Sequence, residues 1–225
     1  HYAHLQELIT DKEAAMGIPT YFSGIDKMLI GMGPADLIVV GARPGMGKTA
    51  FCLNIAANVA CKQKKAVAIF SLEMSNEQIV SRMLSSEALI DSYKMRSGEL
   101  EGNDWANLAR AAAVLSETDI LIDDTTGITV TGMKAKLRRV KNLGLVIIDY
   151  LQLMQSDTKN DNRVQEIGEI SRNLKLLAKD LKVPVITCAQ LNRGVEGRTD
   201  KTPMASDLRD SGAIEQDADV ILFLY

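Results

Sequence analysis

A glycine-rich loop between an apolar run and a helix-compatible segment is the feature that most constrains the fold of this chain. The loop reads ARPGMGKT over residues 42–49, follows the apolar run at 37–41 and precedes a helical pattern at 50–60. A strand, a glycine-rich loop and a helix in this order are the context that a phosphate-binding P-loop requires. The pattern commonly opens with Gly, and here Ala42 holds that place directly after Gly41. We therefore expect a nucleotide-binding loop, against the alternative of an ordinary glycine loop.

The residue types of the loop predict how it binds phosphate. Glycines let backbone N–H groups turn inward around phosphate oxygens, Lys48 reaches the β- and γ-phosphates, and the Thr49 hydroxyl sits on Mg²⁺. The residues predicted to contact ATP here are Arg43, Pro44, Gly45, Met46, Gly47, Lys48, Thr49 and Ala50.

Length and composition bound the class of protein. The chain has 225 residues, 46% of them hydrophobic and 24% charged, which fits one large α/β domain or a domain with an appendage. No apolar run approaches the length of a membrane span. Three cysteines without a Cys-x-x-Cys pair indicate reduced thiols and a cytoplasmic location. The net charge of −3 means that any contact with nucleic acid is local.

Short apolar runs alternate with helical patterns along most of the chain. This alternation predicts an α/β fold with a mostly parallel twisted sheet and helices on both faces. Residues 1–17 are read as a linker helix region outside a main domain at 18–225. Ligands bind beyond the carboxyl ends of such strands. The predicted strands are 36–41, 66–71, 119–123, 145–149, 183–189 and 220–225.

Carboxylates at two strand ends fit ATP hydrolysis. Asp149 ends a buried strand in the Walker B manner and is expected to support Mg²⁺. Tyr150 follows it, where many P-loop ATPases have Glu, so the base must come from elsewhere. Glu73 is the best candidate, because a capping box at Ser75–Gln78 leaves it in the loop before the next helix. The alternative for Glu73 is a carboxylate that the helix dipole favours.

Gln190 ends the fifth predicted strand, where an amide can touch the γ-phosphate on one side and the following loop on the other. Polar stretches at 155–163 and 192–212 are long for a compact domain, which is typical of functional loops. If the second stretch binds DNA, it should use a few Arg contacts and glycine N–H groups on phosphates. The basic residues Lys134, Lys136, Arg138, Arg139 and Lys141 form either a solvated helix face or a DNA contact.

Taken together, the motifs resemble the C-terminal ATPase domain of DnaB-family replicative helicases, a branch of the RecA-like P-loop NTPase fold. They occur in family order and cover nearly the whole chain from Ile18. The matching pieces are residues 42–49, 71–75, 148–154, 189–193 and 206–219.

The resemblance implies a ring of six subunits that hydrolyses ATP between neighbours and moves 5′→3′ on single-stranded DNA. It implies Glu73 as catalytic base, Gln190 as γ-phosphate sensor and Arg82 as a nucleotide contact. DNA binding is carried over to Arg209, Asp210 and Gly212, with Asp210 standing where the family usually has Glu. Primase and a helicase loader are expected to bind parts outside or flanking this chain.

The family's arginine finger belongs downstream of residue 225. We therefore expect the isolated chain to bind nucleotide and to hydrolyse it slowly. Two other readings stay open at this point. A RecA-type recombinase shares the fold and a Glu away from Walker B, but the 208–219 motif argues for a helicase. A nucleotide-switched loader or scaffold would not require Glu73 and Gln190.

Overall fold

A computed structural model describes residues 16–158, 162–192, 194, 197–208 and 212–225. Its centre is one six-stranded sheet in which every pair of neighbouring strands is parallel, in the order β3-β2-β4-β5-β1-β6. The strands are β1 (Leu37–Ala42), β2 (Ala66–Ser71), β3 (Ile120–Asp123), β4 (Leu143–Asp149), β5 (Val185–Gln190) and β6 (Val220–Leu224). The six predicted strands are confirmed, each to within two residues at either end.

Helices connect these strands. They are α1 (Ser23–Leu29), α2 (Lys48–Gln63), α3 (Asn76–Ala88), α4 (Ser92–Ser97), α5 (Gly102–Ser116), α6 (Val130–Leu137), α7 (Arg163–Leu181) and α8 (Gly212–Asp217). Short 3-10 turns lie at Leu151–Leu153 and Ala205–Asp207. The predicted capping box is confirmed at the start of α3, where the Ser75 hydroxyl accepts from the backbone N–H of Gln78 and the Gln78 side chain accepts from that of Ser75.

Both faces of the sheet are covered, as the sequence predicts. Successive side chains of a strand point to opposite faces. Leu37 and Val39 of β1 pack in one buried cluster with α6 and α7, whereas Ile38 and Val40 pack in a second cluster with α2 and α3. Because the central strands are buried on both sides, they read as continuous apolar runs rather than as alternating patterns.

The strand order brings the predicted site residues to one edge of the sheet. Ala42 of β1 lies in register with Gln190 of β5, and Ser71 of β2 lies in register with Asp149 of β4. These strands are neighbours in the sheet, so their carboxyl ends form a continuous rim. This rim is where ligands of open parallel sheets bind.

The beginning of the described chain is tied to the domain. Ile18 and Met32 exchange two backbone hydrogen bonds of 2.8 Å. Most of the predicted linker helix region, residues 1–15, lies outside the described residues. Among the described helices, we find none that is long and apolar enough to cross a membrane.

Candidate nucleotide-binding site

The P-loop has the backbone conformation that its glycines permit. Gly45 and Gly47 have φ angles of 80° and 83°, in the left-handed region that residues with a Cβ rarely adopt. Gly47 also precedes the first residue of α2, and residues 44–47 are exposed. The N-terminus of a sixteen-residue helix therefore opens onto an accessible loop, an arrangement that favours anion binding.

Two P-loop side chains meet the end of β4. The Thr49 hydroxyl donates to Asp149 Oδ2 at 2.5 Å, and Lys48 Nζ lies 3.3 Å from Asp149 Oδ1. The Asp149 side chain is 4% exposed and the Lys48 side chain 11% exposed. The structure thus brings together Lys48, Thr49 and Asp149, which are about a hundred residues apart in sequence and were predicted to share one site.

The oxygen atoms at this point fit a magnesium ion. Asp149 Oδ1 is buried and has no hydrogen bond of good geometry in the described structure, although it faces the Lys48 ammonium. Mg²⁺ is usually held by one or two carboxylates, a hydroxyl, water and substrate phosphates rather than by an all-protein cage. The described residues contain no group of three His, Cys, Asp or Glu side chains arranged around a metal position.

Tyr150 makes a contact that sequence reasoning missed. Lys48 Nζ lies 4.3 Å from the centre of the Tyr150 ring, so the residue in the place of the usual Glu faces the P-loop lysine. The signal available from the sequence was the position of Tyr150 directly after Asp149.

Two buried thiols contact each other where α2 packs against β5. Cys52 of α2 and Cys188 of β5 have their Sγ atoms 3.4 Å apart, and both are free and buried. The hydrogen bond with Cys52, together with burial, raises the pKa of the Cys188 thiol well above its ordinary value. These two cysteines are free core residues, as predicted, whereas Cys61 is only half-buried.

Glu73 lies in the loop between β2 and α3, as the capping box predicts. The loop is held against β4, because the Leu72 N–H donates to the Asp149 carbonyl at 2.8 Å and Ser71 Oγ donates to the Met74 carbonyl at 2.7 Å. The Glu73 side chain is exposed. It therefore stands at the rim of the site with free access to water.

Gln190 is joined to the Walker B segment. Its backbone N–H donates to Gln152 Oε1 at 3.3 Å, and the Gln152 carbonyl accepts from Arg163 at the start of α7. Gln152 Nε2 is buried and has no hydrogen-bond partner among the described residues. Gln152 was not predicted, because nothing in the local pattern separates it from a surface residue of a turn.

Arg82 is exposed on α3, and no hydrogen bond or ion pair joins it to Lys48, Thr49 or Asp149. It lines a groove of about 790 Å³ that also includes Ala50, in the first turn of α2. The structure therefore places Arg82 on a surface that adjoins the P-loop helix. Its role as a nucleotide contact stays a prediction.

The predicted DNA loop is anchored at both ends. Leu191 forms an antiparallel bridge with Leu208, and the Asn192 N–H donates to the Asp207 carbonyl at 2.7 Å. Arg198 pairs with Asp207, and a short 3-10 helix lies at Ala205–Asp207, so this stretch has more local structure than the sequence indicated. Arg209 and Asp210 lie outside the described residues, and Gly212 is an exposed first residue of α8.

The basic segment is less available than its sequence suggests. Lys134 pairs with Asp180 of α7, and Lys136 pairs with Asp123 at the end of β3. The hydrogen bond from Lys134 lowers the pKa of the Asp180 carboxyl below its usual value. Helix α6 ends at Leu137, so the residues at 138–141 belong to a turn. These contacts favour the solvated surface over a continuous DNA-binding helix face.

Comparison with known proteins then decides the family. The sequence model of the family of DnaB-like helicase C-terminal domains matches residues 17–225. This chain belongs to that family. The expected resemblance is confirmed, and the family assignment decides against a RecA-type recombinase.

Named relatives agree with the assignment of this DnaB-like domain. The chain is 53% identical over 228 residues to replicative DNA helicase DnaC of Bacillus subtilis (strain 168) and 52% identical over 228 residues to replicative DNA helicase DnaB of Geobacillus stearothermophilus. In both cases the match includes 100% of this chain and 50% of the relative. The chain thus spans about half the length of these relatives.

Solved structures give the same result for the fold. A DnaB-like replicative helicase, described together with its interactions with primase, has a TM-score of 0.93 and 37% identity over 100% of this chain and 55% of that chain. A second solved structure, described as an ATPase domain, has a TM-score of 0.93 and 38% identity over 99% of this chain and 82% of that chain. The predicted RecA-like architecture is confirmed, and the chain corresponds to the C-terminal domain of DnaB-like helicases.

Proposed function

We propose that this DnaB-like domain binds Mg²⁺ and ATP, hydrolyses the ATP at the contacts of a hexameric ring, and moves 5′→3′ on single-stranded DNA to separate a duplex. The observation that carries the proposal is the convergence of Lys48 and Thr49 on Asp149 at the end of an exposed P-loop. The chain that carries this arrangement belongs to the family of DnaB-like helicase C-terminal domains.

The residues of the site divide the chemistry between them. Backbone N–H groups of the P-loop and the N-terminus of α2 hold the phosphates, and Lys48 donates to the β- and γ-phosphate oxygens. Thr49 and Asp149 supply oxygen ligands for Mg²⁺, which when bound neutralises charge on the phosphates. Glu73 orients the attacking water and accepts its proton, since it stands exposed beside the site.

Gln190 is suited to transmit the state of the γ-phosphate. The next residue, Leu191, bridges to Leu208, which directly precedes Arg209. A shift of Gln190 is therefore passed to both ends of the loop that we assign to DNA. There Arg209, Asp210 and Gly212 grip phosphates without reading bases, so one loop serves every sequence.

Arg209→Ala tests that loop in the full-length protein. Single-stranded DNA should bind more weakly whatever its sequence. The slope of the logarithm of the binding constant against the logarithm of the salt concentration should become shallower by about 0.7 per lost phosphate contact. Arg110→Ala, at an exposed position on α5, is the matched control. Unchanged affinity and salt dependence for Arg209→Ala would remove the loop from the DNA path.

Further partners follow from the same proposal. A relative of known structure is described with primase, and we assign primase and loader contacts to parts of the protein outside or flanking this chain. We assign the protein to replication forks in the cytoplasm of bacteria or of phage-infected cells, in keeping with relatives that are named bacterial replicative DNA helicases.

The direct test follows ATP-driven strand separation by the full-length protein on forked duplexes. One fork carries only a 5′ single-stranded arm for loading, and the other carries only a 3′ arm. We expect separation that requires the 5′ arm and disappears in Lys48→Ala. DNA binding without separation and without ATP turnover would instead support a nucleotide-switched loader.

A further inference from the structure

We infer that Tyr150 is a positioning residue for the P-loop lysine: its ring holds the Lys48 ammonium at the mouth of the nucleotide site. The inference rests on the proposed function of that site. Neither the motif match nor the Walker B pattern assigns a task to the residue after Asp149. The geometry of Lys48 does so.

The Lys48 ammonium is held by two consecutive residues at the end of β4. Asp149 Oδ1 lies 3.3 Å from Nζ, and the centre of the Tyr150 ring lies 4.3 Å from it. The ring is thus within the distance at which a cation is attracted to an aromatic face. Because the Lys48 side chain is only 11% exposed, this attraction is weakly screened by water.

An aromatic ring has an advantage over the Glu that many P-loop ATPases carry in this place. A lysine ammonium has three N–H donors and no acceptor. A second carboxylate beside Asp149 would take one of these donors in a strong charge-assisted bond. The ring attracts the ammonium without accepting such a bond, so the donors remain available to phosphate oxygens.

The ring itself is held in place. Tyr150 is half-buried and packs against the apolar cluster that includes Cys52, Ile147 and Cys188. Its carbonyl accepts from the Leu153 N–H at 3.0 Å in the following 3-10 turn. The Tyr150 hydroxyl has no hydrogen bond within the described part of the chain, so a phenylalanine ring should occupy the same position.

The chain offers a matched control for the same type of contact. Lys62 Nζ lies 4.4 Å from the centre of the Tyr21 ring, at the far end of α2 from the P-loop. Removing that ring deletes a lysine–tyrosine contact at nearly the same distance. It leaves Lys48, Asp149 and Tyr150 untouched.

The experiment measures binding of a fluorescent ATP analogue with Mg²⁺ to the full-length protein and to Tyr150→Leu, Tyr150→Phe and Tyr21→Leu. A cation–aromatic contact of this kind corresponds to about 2- to 30-fold in affinity. We expect a loss in that range for Tyr150→Leu, and affinities within twofold of wild type for Tyr150→Phe and Tyr21→Leu. The thermal midpoint of each variant checks that it is folded.

A double-mutant cycle decides whether Tyr150 acts through Lys48. In a Lys48→Met background, the further change Tyr150→Leu should have no effect on the remaining affinity, because the ring has no ammonium to hold. An equal loss in both backgrounds, or wild-type affinity for Tyr150→Leu, would overturn the inference. Failure of the proposed function gives a different result. In that case the wild-type protein itself shows no specific nucleotide binding, and Lys48→Met does not differ from it.

Discussion

Asp149→Asn separates the chemistry of the site from its stability. The carboxylate accepts from Thr49 on one oxygen and faces Lys48 at 3.3 Å on the other. At an effective dielectric constant of about 20, two charges at that separation attract each other by about 5 kcal/mol. Burying both ions opposes folding by several kcal/mol for each, so the pair contributes little net stability.

The amide keeps most of the local contacts. Its carbonyl oxygen can face the Lys48 ammonium while its N–H donates to the Thr49 hydroxyl. We therefore expect the unfolding free energy to change by less than about 2 kcal/mol, which corresponds to less than about 8 °C in the thermal midpoint of a domain of this size. ATP turnover should nevertheless fall by about 10²- to 10³-fold, since a charge that stabilises the transition state is lost.

The assay is steady-state ATP hydrolysis by the full-length protein at saturating Mg²⁺, beside a thermal unfolding scan. Asp123→Asn is the matched control, because Asp123 also ends a strand and pairs with a lysine, Lys136, but lies on the edge strand β3. Turnover within threefold of wild type for Asp149→Asn would refute the metal-supporting role. A thermal midpoint lowered by much more than about 8 °C would refute the argument that the attraction between Asp149 and Lys48 is nearly cancelled by the cost of burying them.

Three further predictions concern the loops around the site. Glu73→Gln should leave nucleotide affinity within threefold of wild type while ATP turnover falls by about 10²- to 10⁴-fold. Glu77→Gln, at an exposed position of α3, is the control. Unchanged ATP turnover in Glu73→Gln would mean that another residue is the base. Ser75→Ala should lower the free energy of unfolding in urea by about 1 kcal/mol, because it removes the N-terminal cap of α3. Ser81→Ala, within the same helix, is the control, and an equal or larger loss of unfolding free energy in that control would contradict the prediction. Burial opposes ionisation of Asp207, but hydrogen bonds from the Met204 N–H and from Arg198 hold its pKa below the ordinary value. These contacts of Asp207 with Met204 and Arg198 should therefore persist above about pH 4 and loosen as the pH falls through the lowered pKa. Hydrogen exchange of the Met204 and Leu208 amides measures this loosening, which Asp207→Asn should show already at pH 7, and exchange independent of pH after correction for its intrinsic rate would be the contrary result.

Local patterns were sufficient for the elements and for the P-loop. The Ser75 cap was predicted because its hydrogen bonds join residues three positions apart, and the strand that ends in Asp149 was predicted because its apolar run is visible in the local sequence. The glycines at 45 and 47 were informative because a left-handed backbone conformation restricts the residue type directly.

Contacts between distant segments were harder to predict. The sequence left the basic segment at 134–141 open between a solvated helix face and a DNA contact, and it did not reveal the partners 46 and 13 residues away that pair with Lys134 and Lys136. Gln152 was missed for the same reason, since its partner Gln190 lies 38 residues further along the chain. Such pairs depend on the order of the strands, which periodicity does not encode.

The sequence by itself therefore determined the α/β class, the phosphate-binding loop and the residue types available for hydrolysis. The tertiary structure decided which of them meet: Asp149 contacts Lys48 and Thr49 because β5 lies between β4 and β1 and the α2 helix crosses that part of the sheet. It also decided that the Tyr150 ring faces Lys48. The physical reason is that backbone conformation is set mainly by near neighbours, whereas charge pairing and ring contacts are set by packing across the sheet.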